Sequence, residues 1–198
     1  MSTTFIVLLI FAYLLGSLNS AIIVCKCFGL PSPRSVGSGN PGATNVLRLG
    51  SKKAAAVTFL GDALKGVVPV VVAHYLALPM VELAWIGLVA VLGHMFPLFF
   101  RFKGGKGVAT SVGMLLAVQP ALGVAFMLTW LLVAGVLRFS SLAALCATVL
   151  TPVYGVWLCG RSVLLPLVIL AAVILWRHRG NIRRLCTGQE SRIGQKAS

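Results

Sequence analysis

The sequence predicts an all-α, polytopic membrane protein with seven transmembrane helices. Of its 198 residues, 59% are hydrophobic and only 10% are charged, whereas soluble domains carry about 25% charged residues. The apolar residues form runs long enough to cross a bilayer. The charge is one-sided as well, with 17 Lys and Arg against 3 Asp and Glu and a net charge of +14. A single membrane-embedded domain over residues 1–198 accounts for these features.

The apolar runs define the predicted spans in chain order. The first three runs cover residues 4–25, 54–78 and 83–100. The next run, 108–137, would extend about 45 Å as one helix, which exceeds one untilted crossing of a hydrocarbon core of about 30 Å, and Gln119-Pro120 interrupts it. We therefore expect two passes there, of which the first, 108–118, is short or only partly spanning. The last two runs cover residues 142–159 and 163–176.

Basic residues set the predicted orientation. No Lys or Arg precedes the first span and Lys26 follows it, so the positive-inside rule places the N-terminus outside and, after seven passes, the C-terminus in the cytoplasm. Arg161 is then the only basic residue expected outside. Because the basic residues lie between spans and the chain carries no recognisable nucleic-acid module, we exclude nucleic acid as a partner.

The cysteines and histidines indicate neither a disulfide framework nor a metal site. The five cysteines are an odd number, and the chain has no Cys or His pairs at the spacing of zinc ligands. We therefore predict no metal and no cofactor.

The second and third predicted spans contain polar residues whose role can be interpreted in two ways. Asp62 and Lys65 are three residues apart on a helix and can form an ion pair. Since charges inside a membrane are costly, the pair is either a structural ion pair or part of a functional site. His94 lies one turn before the helix-breaking Pro97, where a structural and a catalytic role are equally open.

The segment 101–107, called the glycine loop below, is the strongest candidate for chemistry. It places Gly104, Gly105 and Gly107 around Lys106 at the start of an apolar run. Glycines allow consecutive N–H groups to turn toward one anion, and the N-terminus of the following helix adds positive potential. We expect a phosphate site here, while a plain turn at the membrane surface is the alternative. The spacing is not that of a Walker A loop.

Three other polar segments fall on the same predicted cytoplasmic face. They are the loop 26–53, the turn at Ser140-Ser141 and the tail 177–185. With the glycine loop they supply many hydrogen-bond donors and almost no carboxylate. The donor side chains are those of Ser38, Asn40, Asn45, Arg48, Lys106, Ser140, Ser141 and Asn181. We expect these segments to form one site that binds more than one phosphate beside lipid.

The same segments resemble the three motifs of the bacterial acyl-phosphate:glycerol-3-phosphate acyltransferases, an integral membrane family. The resemblance covers essentially the whole chain in motif order, spacing, length and number of spans. It rests on Gly37-Ser38-Gly39-Asn40-Pro41-Gly42-Ala43-Thr44-Asn45, on Gly93-His94 with Phe102-Lys103-Gly104-Gly105-Lys106-Gly107-Val108-Ala109-Thr110, and on His178, Asn181, Arg184-Leu185 and Glu190.

This resemblance implies transfer of a fatty acyl group from acyl-phosphate to the sn-1 hydroxyl of glycerol 3-phosphate. The products would be lysophosphatidic acid and inorganic phosphate, in the first step of membrane phospholipid synthesis, and neither acyl-CoA nor acyl carrier protein would be the donor. A bacterial inner-membrane enzyme with its site on the cytoplasmic face is implied as well. Nothing in the sequence requires more than a monomer.

Residue roles follow from the resemblance. The predicted catalytic set is Ser38, Arg48, His178 and Asn181. The predicted substrate-binding set is Asn40, Asn45, Gly104, Gly105, Lys106, Gly107, Ser140 and Ser141, in which Lys106 and the glycines would bind glycerol phosphate. Glu190 has a structural role in that family.

Two candidates for the general base remain, because the sequence shows no obvious Asp or Glu that could take the hydroxyl proton. One is His178. The other, which we favour, is an oxygen of a substrate phosphate, whose second pKa of about 6 allows it to accept a proton at neutral pH. The alternative function is a transporter or channel for an organic phosphate, since a broken fourth segment and charges inside the membrane also suit a transporter.

Overall fold

Helices are the only regular elements in residues 2–36 and 38–194, which are the residues that the computed structural model describes. Gly37, the first residue of the first motif, lies outside the described residues. The α-helices are α1 Thr3–Gly16, α2 Ser20–Cys27, α3 Ala43–Arg48, α4 Lys52–Tyr75, α5 Met80–Met95, α6 Val108–Val118, α7 Pro120–Leu137, α8 Ser140–Cys159, α9 Leu164–Arg177 and α10 Arg179–Cys186. Short 3₁₀ helices at Leu98–Phe100 and Arg161–Val163 precede the glycine loop and α9.

Five helical segments of the described chain are long and apolar enough to cross a membrane. They are Thr3–Cys27, Lys52–Tyr75, Met80–Phe100, Pro120–Leu137 and Ser140–Cys159. A sixth candidate is the pair Arg161–Arg177 and Arg179–Cys186, which is bent by 59°. The predicted all-helical membrane class is therefore confirmed. A path of seven passes requires both the bent pair and α6 to cross, so the number of spans and the orientation of the termini stay predictions.

The first span is interrupted between α1 and α2. Asn19 caps α2, because its side-chain oxygen accepts from the Ile22 N–H at 3.2 Å. Gly16 lies directly on α5, where a Cβ would be 2.2 Å from the Ala90 carbonyl oxygen. The small side chain thus lets the two helices approach closely. This packing fixes α5, whose C-terminal end leads into the glycine loop.

The short helix α6 lies inside the bundle, packed against α4, α5 and α7. Most of its residues are buried, including Thr110 and Met114. Gln119 is extended, and Pro120 begins α7 because the first position of a helix tolerates a residue without an N–H. The predicted break at Gln119-Pro120 and the predicted short first arm are therefore confirmed.

The polar segments meet at one end of the bundle, as expected. The Arg34 guanidinium donates to the Lys103 carbonyl, which joins the first loop to the glycine loop. The residues that follow α10 contact the turn between α7 and α8, where the Ile193 N–H donates to the Arg138 carbonyl at 2.7 Å. The first loop also contains α3, a helix that the sequence did not predict. The convergence is confirmed, whereas the side of the membrane that this end faces stays a prediction.

Candidate active site

A cavity of about 1290 Å³ lies where the polar segments meet. Its polar wall contains most predicted site residues, namely Ser38, Asn40, Asn45, Arg48, Lys106, Gly107, Ser140, Ser141, His178 and Asn181. Its apolar wall consists of side chains on α4, α6, α7 and α8, namely Phe59, Val112, Met127, Trp130, Leu131 and Ala144. One space thus offers donors for anions beside a surface for a hydrocarbon chain.

The glycine loop holds Lys106 among the donors. Gly107 has a φ of +86°, in the left-handed region that favours glycine, and directly precedes α6. The Lys106 ammonium donates to the side-chain oxygen of Asn181 at 2.6 Å. Burial lowers the pKa of Lys106 to about 8; Glu190 partly opposes this shift, and nearby arginines add to it. An anion in the cavity would stabilise the charged form, which is the electrostatic condition for a phosphate site.

Glu190 organises the tail side of the cavity. Its Oε1 accepts from the Ser141 hydroxyl at 2.7 Å and from the Asn181 amide at 2.6 Å, and its Oε2 accepts from Arg184 at 2.7 Å. Burial raises the pKa of the Glu190 carboxyl, but these hydrogen bonds lower it more, so the pKa lies below its usual value. The carboxylate therefore orients donors, and it turns the Asn181 oxygen toward Lys106. These contacts agree with the structural role implied by the resemblance.

Arg177 supports the glycine loop from the tail. Its Nη2 donates to the Gly104 carbonyl at 2.7 Å and to the Gly105 carbonyl at 3.0 Å. Its guanidinium also lies 5.7 Å from the centre of the Phe96 ring. Sequence reasoning missed this role, because a basic residue directly after an apolar span is normally explained as a topological anchor.

The loop glycines have different roles. The Gly105 N–H donates to the His94 carbonyl at 3.2 Å, so it already has a hydrogen-bond partner and does not bind an anion. Gly104 lines a smaller cavity of about 340 Å³, and Gly107 lines the large one. The difference arises because the loop folds against the end of α5. The N-terminus of α6 does face the large cavity, through Val108 and Ala109.

Asn45 organises the first loop. Its side-chain oxygen accepts from the Ser38 N–H at 3.1 Å, and its amide donates to the carbonyls of Pro33 at 2.7 Å and Val36 at 3.0 Å. Asn45 is buried, so its side chain mainly fixes the shape of the loop. Arg48, at the end of α3, donates to the Ser191 hydroxyl at 2.6 Å and thereby joins this loop to the residues that follow α10.

His178 lies buried at the bend between α9 and α10. Its Nδ1 is 2.8 Å from the Ile174 carbonyl oxygen. Because a carbonyl only accepts, Nδ1 carries a proton, and Nε2 is the ring atom of the neutral side chain that can accept another. The helix does not continue straight through this residue, yet His178 and Asn181 both line the large cavity.

The smaller cavity extends the donor set. It shares Ser38, Asn40, Lys106, Asn181 and Arg184 with the large cavity and adds Arg177 and Arg179. The adjoining spaces together could hold two anionic groups close to one another. Within residues 2–36 and 38–194, no three His, Cys, Asp or Glu side chains are grouped as they would be around a metal ion.

Comparisons with known proteins agree on one family. The family model described as Glycerol-3-phosphate acyltransferase matches residues 6–188. The glycerol-3-phosphate acyltransferase of Thioalkalivibrio sulfidiphilus is 58% identical over 186 residues, which cover 93% of this chain and 92% of that protein. The enzyme of the same name from Francisella tularensis subsp. novicida is 57% identical over 190 residues, which cover 96% of this chain and 93% of that protein.

Solved structures match over nearly the whole length. The crystal structure of PlsY (YgiH), an integral membrane glycerol 3-phosphate acyltransferase, in its glycerol 3-phosphate form has a TM-score of 0.91 and 42% identity, and the match covers 96% of both chains. Its lysophosphatidic acid form has a TM-score of 0.89 and 41% identity, with the same coverage.

Proposed function

This chain belongs to the glycerol-3-phosphate acyltransferase family, and from that membership we propose that it transfers a fatty acyl group from acyl-phosphate to the sn-1 hydroxyl of glycerol 3-phosphate. The products are lysophosphatidic acid and inorganic phosphate. One observation carries the proposal: Lys106, Arg48 and Asn181 line the same cavity as an apolar wall. The glycerol 3-phosphate and lysophosphatidic acid forms of the solved relative support this acceptor and this product.

The main task of the protein in this reaction is to align its two substrates, because the acyl donor is already activated. Acyl-phosphate already has a good leaving group, so the protein has to hold two anions and bring the hydroxyl to the acyl carbon. The hydroxyl oxygen bonds to that carbon, the bond from the carbon to the phosphate oxygen breaks, and inorganic phosphate leaves with the electron pair. Lys106, Arg48 and Asn181 stabilise the negative charge that develops on the carbonyl oxygen and the leaving phosphate.

The predicted residues divide between substrate contact and support. Ser38, Arg48, His178 and Asn181 remain the catalytic set, and all four line the large cavity. Gly105 and Asn45 contribute by holding their loops, because their polar groups bond to the protein itself. The remaining binding residues contact the substrate head groups, namely Asn40, Gly104, Lys106, Gly107, Ser140 and Ser141.

The hydroxyl proton goes to one of two acceptors. His178 offers Nε2, since Nδ1 is bonded to the Ile174 carbonyl. A substrate phosphate is already at the reacting centre, and its second pKa of about 6 makes it a competent base at neutral pH. We favour the phosphate as the base, so that His178 contributes to the catalytic set as a cavity side chain that contacts the substrate beside Asn181 without taking the proton.

The chain takes seven passes, with its N-terminus outside and its C-terminus in the cytoplasm. The distribution of basic residues supports this path, as does the short buried helix α6, which would be the partial fourth pass. The site then faces the cytoplasm at the bacterial inner membrane. The enzyme works as a monomer, since nothing in the sequence requires a second chain.

The test of this function uses the purified chain in detergent with palmitoyl-phosphate and glycerol 3-phosphate. Inorganic phosphate and lysophosphatidic acid should appear in equal amounts, and only when both substrates are present. Palmitoyl-CoA should not replace palmitoyl-phosphate, and a chelator should leave the rate unchanged. Absence of turnover, as a transporter would show, or product formation from palmitoyl-CoA would contradict the proposal.

A further inference from the structure

Asp62, Lys65 and His94 form a cluster of ionisable side chains that the proposed reaction does not use. Their exposed fractions are only 2%, 3% and 6%. Lys65 Nζ lies 2.8 Å from Asp62 Oδ1, which confirms the ion pair expected from their spacing. His94 Nδ1 lies 3.4 Å from the same oxygen, a close polar contact that lacks the geometry of a hydrogen bond. Asp62 and His94 also line the large cavity, so the cluster adjoins the proposed site.

Lys65 holds the carboxylate of Asp62 in place. The Lys65 ammonium also donates to the Leu18 carbonyl at 2.7 Å, in the break between α1 and α2. The ion pair is therefore attached to a second helical segment as well as to α4. Movement of Asp62 away from Lys65 would leave an unpaired buried charge, which is strongly unfavourable. Asp62 thus presents a fixed oxygen to His94.

His94 supports the glycine loop in turn. Its carbonyl accepts from the Gly105 N–H at 3.2 Å. Its ring lies so close to Gly105 that a Cβ on that residue would be 2.1 Å from Nε2. The following residue is Lys106, whose ammonium contacts Asn181 on the tail. A short series of contacts therefore connects Asp62 with the residue proposed to bind phosphate.

We propose that Asp62, held by Lys65, fixes the ring of His94 and thereby positions the glycine loop so that Lys106 binds glycerol 3-phosphate. The inference rests on the proposed function and adds positioning residues to it, since the cluster acts through Lys106. A small displacement of a binding group can cost as much as about 100-fold in rate. Because the apolar wall holds the acyl chain, the effect falls on glycerol 3-phosphate and much less on acyl-phosphate.

The test replaces both charges together, with Asp62→Leu and Lys65→Met in one variant. Replacing a buried ion pair by apolar side chains of similar volume is often neutral or stabilising, so thermal stability in detergent should stay near that of the wild type. We expect the KM for glycerol 3-phosphate to rise roughly 10- to 100-fold and the KM for palmitoyl-phosphate to change less than about threefold. A stable variant with both KM values unchanged would show a purely structural pair and overturn the proposal.

A second variant, Asp62→Asn with Lys65→Met, keeps an oxygen opposite His94, removes the negative charge and leaves no unpaired buried ammonium. Its KM for glycerol 3-phosphate should rise about three- to tenfold, because an oxygen stays opposite the His94 ring while the negative charge that attracts the ring is lost. If the Asp62→Leu, Lys65→Met variant does not fold, this second variant decides alone, and a wild-type KM for glycerol 3-phosphate in it overturns the proposal.

Glu82→Leu is the matched control, since Glu82 lies in the first turn of α5 whereas His94 lies in its last turn. Both KM values of this control should equal those of the wild type. The activity of the wild-type chain distinguishes failure of the proposed function from failure of the positioning inference. If it does not turn over, the proposed function fails and the positioning inference fails with it; if it turns over while the Asp62 variants keep their KM values, only the inference fails.

Discussion

Two groups of charged side chains in this molecule differ in charge balance. At the buried edge of the cavity, the Asp62 carboxylate lies 2.8 Å from the Lys65 ammonium, so each charge has a partner of opposite sign. In the cavity, Lys106 and Arg48 donate to neutral side-chain oxygens. The balanced Asp62–Lys65 pair stabilises one packing of the helices. Among the residues that the structure describes, Lys106 and Arg48 have no paired carboxylate, so their excess positive charge favours binding of an anion. This difference separates the positioning cluster from the side chains proposed to bind phosphate.

The largest expected effect comes from removing the charge at the centre of the cavity. Lys106→Met should lower kcat/KM for glycerol 3-phosphate by about 100- to 1000-fold, the usual cost of losing one donor to developing charge. Lys103→Met is the matched control on the same loop, because the Lys103 side chain is exposed. It should stay within about twofold of the wild type. Equal losses in both variants would contradict a specific role for Lys106.

The next effect concerns the carboxylate that orients the cavity donors. Glu190→Gln should lower kcat/KM by about 10- to 100-fold and reduce thermal stability, because hydrogen bonds to a charged group contribute roughly 1.5–3 kcal/mol each. Glu82→Gln makes the same chemical change away from the cavity and should have little effect. Wild-type kinetics in Glu190→Gln would show that Asn181 does not depend on Glu190 for its orientation.

Raising the pH should remove the cavity charge without a mutation. The pKa of Lys106 is lowered to about 8, so the ammonium loses its proton as the pH rises through that value. We expect kcat/KM for glycerol 3-phosphate, which reports the free enzyme, to fall about tenfold between pH 7 and pH 9. Lys106→Arg should remove this fall, because a guanidinium stays charged over the whole range. The same fall in both proteins would assign the titration to another group.

Replacing His178 should have the smallest effect. His178→Ala should lower kcat by no more than about tenfold if a substrate phosphate is the base, whereas loss of a general base typically costs roughly 10²–10⁴-fold. His74→Ala serves as the control, since His74 is an exposed residue near the C-terminal end of α4. A loss of more than about 100-fold in His178→Ala would make His178 the base.

Features that depend on adjacent residues were predictable from the sequence. The break at Gln119-Pro120 follows from the missing N–H of proline, and the structure has it between α6 and α7. The Asp62–Lys65 pair follows from a spacing of three on a helix. The short helix α3 was missed, because its six residues lie within a segment rich in glycine and polar side chains.

Features that depend on distant segments were not predictable in the same way. Arg177 donates to the carbonyl of Gly104, 73 positions earlier, and Arg48 donates to Ser191, 143 positions later. Nor did the glycine spacing indicate that the Gly105 N–H would bond to His94. In each case the polar group belonged to a predicted segment, but its partner came from another one.

Composition and spacing were enough to predict the apolar spans, the interruption of the long fourth run and a site rich in hydrogen-bond donors, although two of the three carboxylates, Asp62 and Glu190, also line its cavity. Which of these donors line the cavity for substrate, and which hold the loops in place, depended on how the segments pack together. The physical reason is that helix formation and partition into lipid depend on local composition and spacing, whereas the partner of a buried polar group depends on which segments pack together.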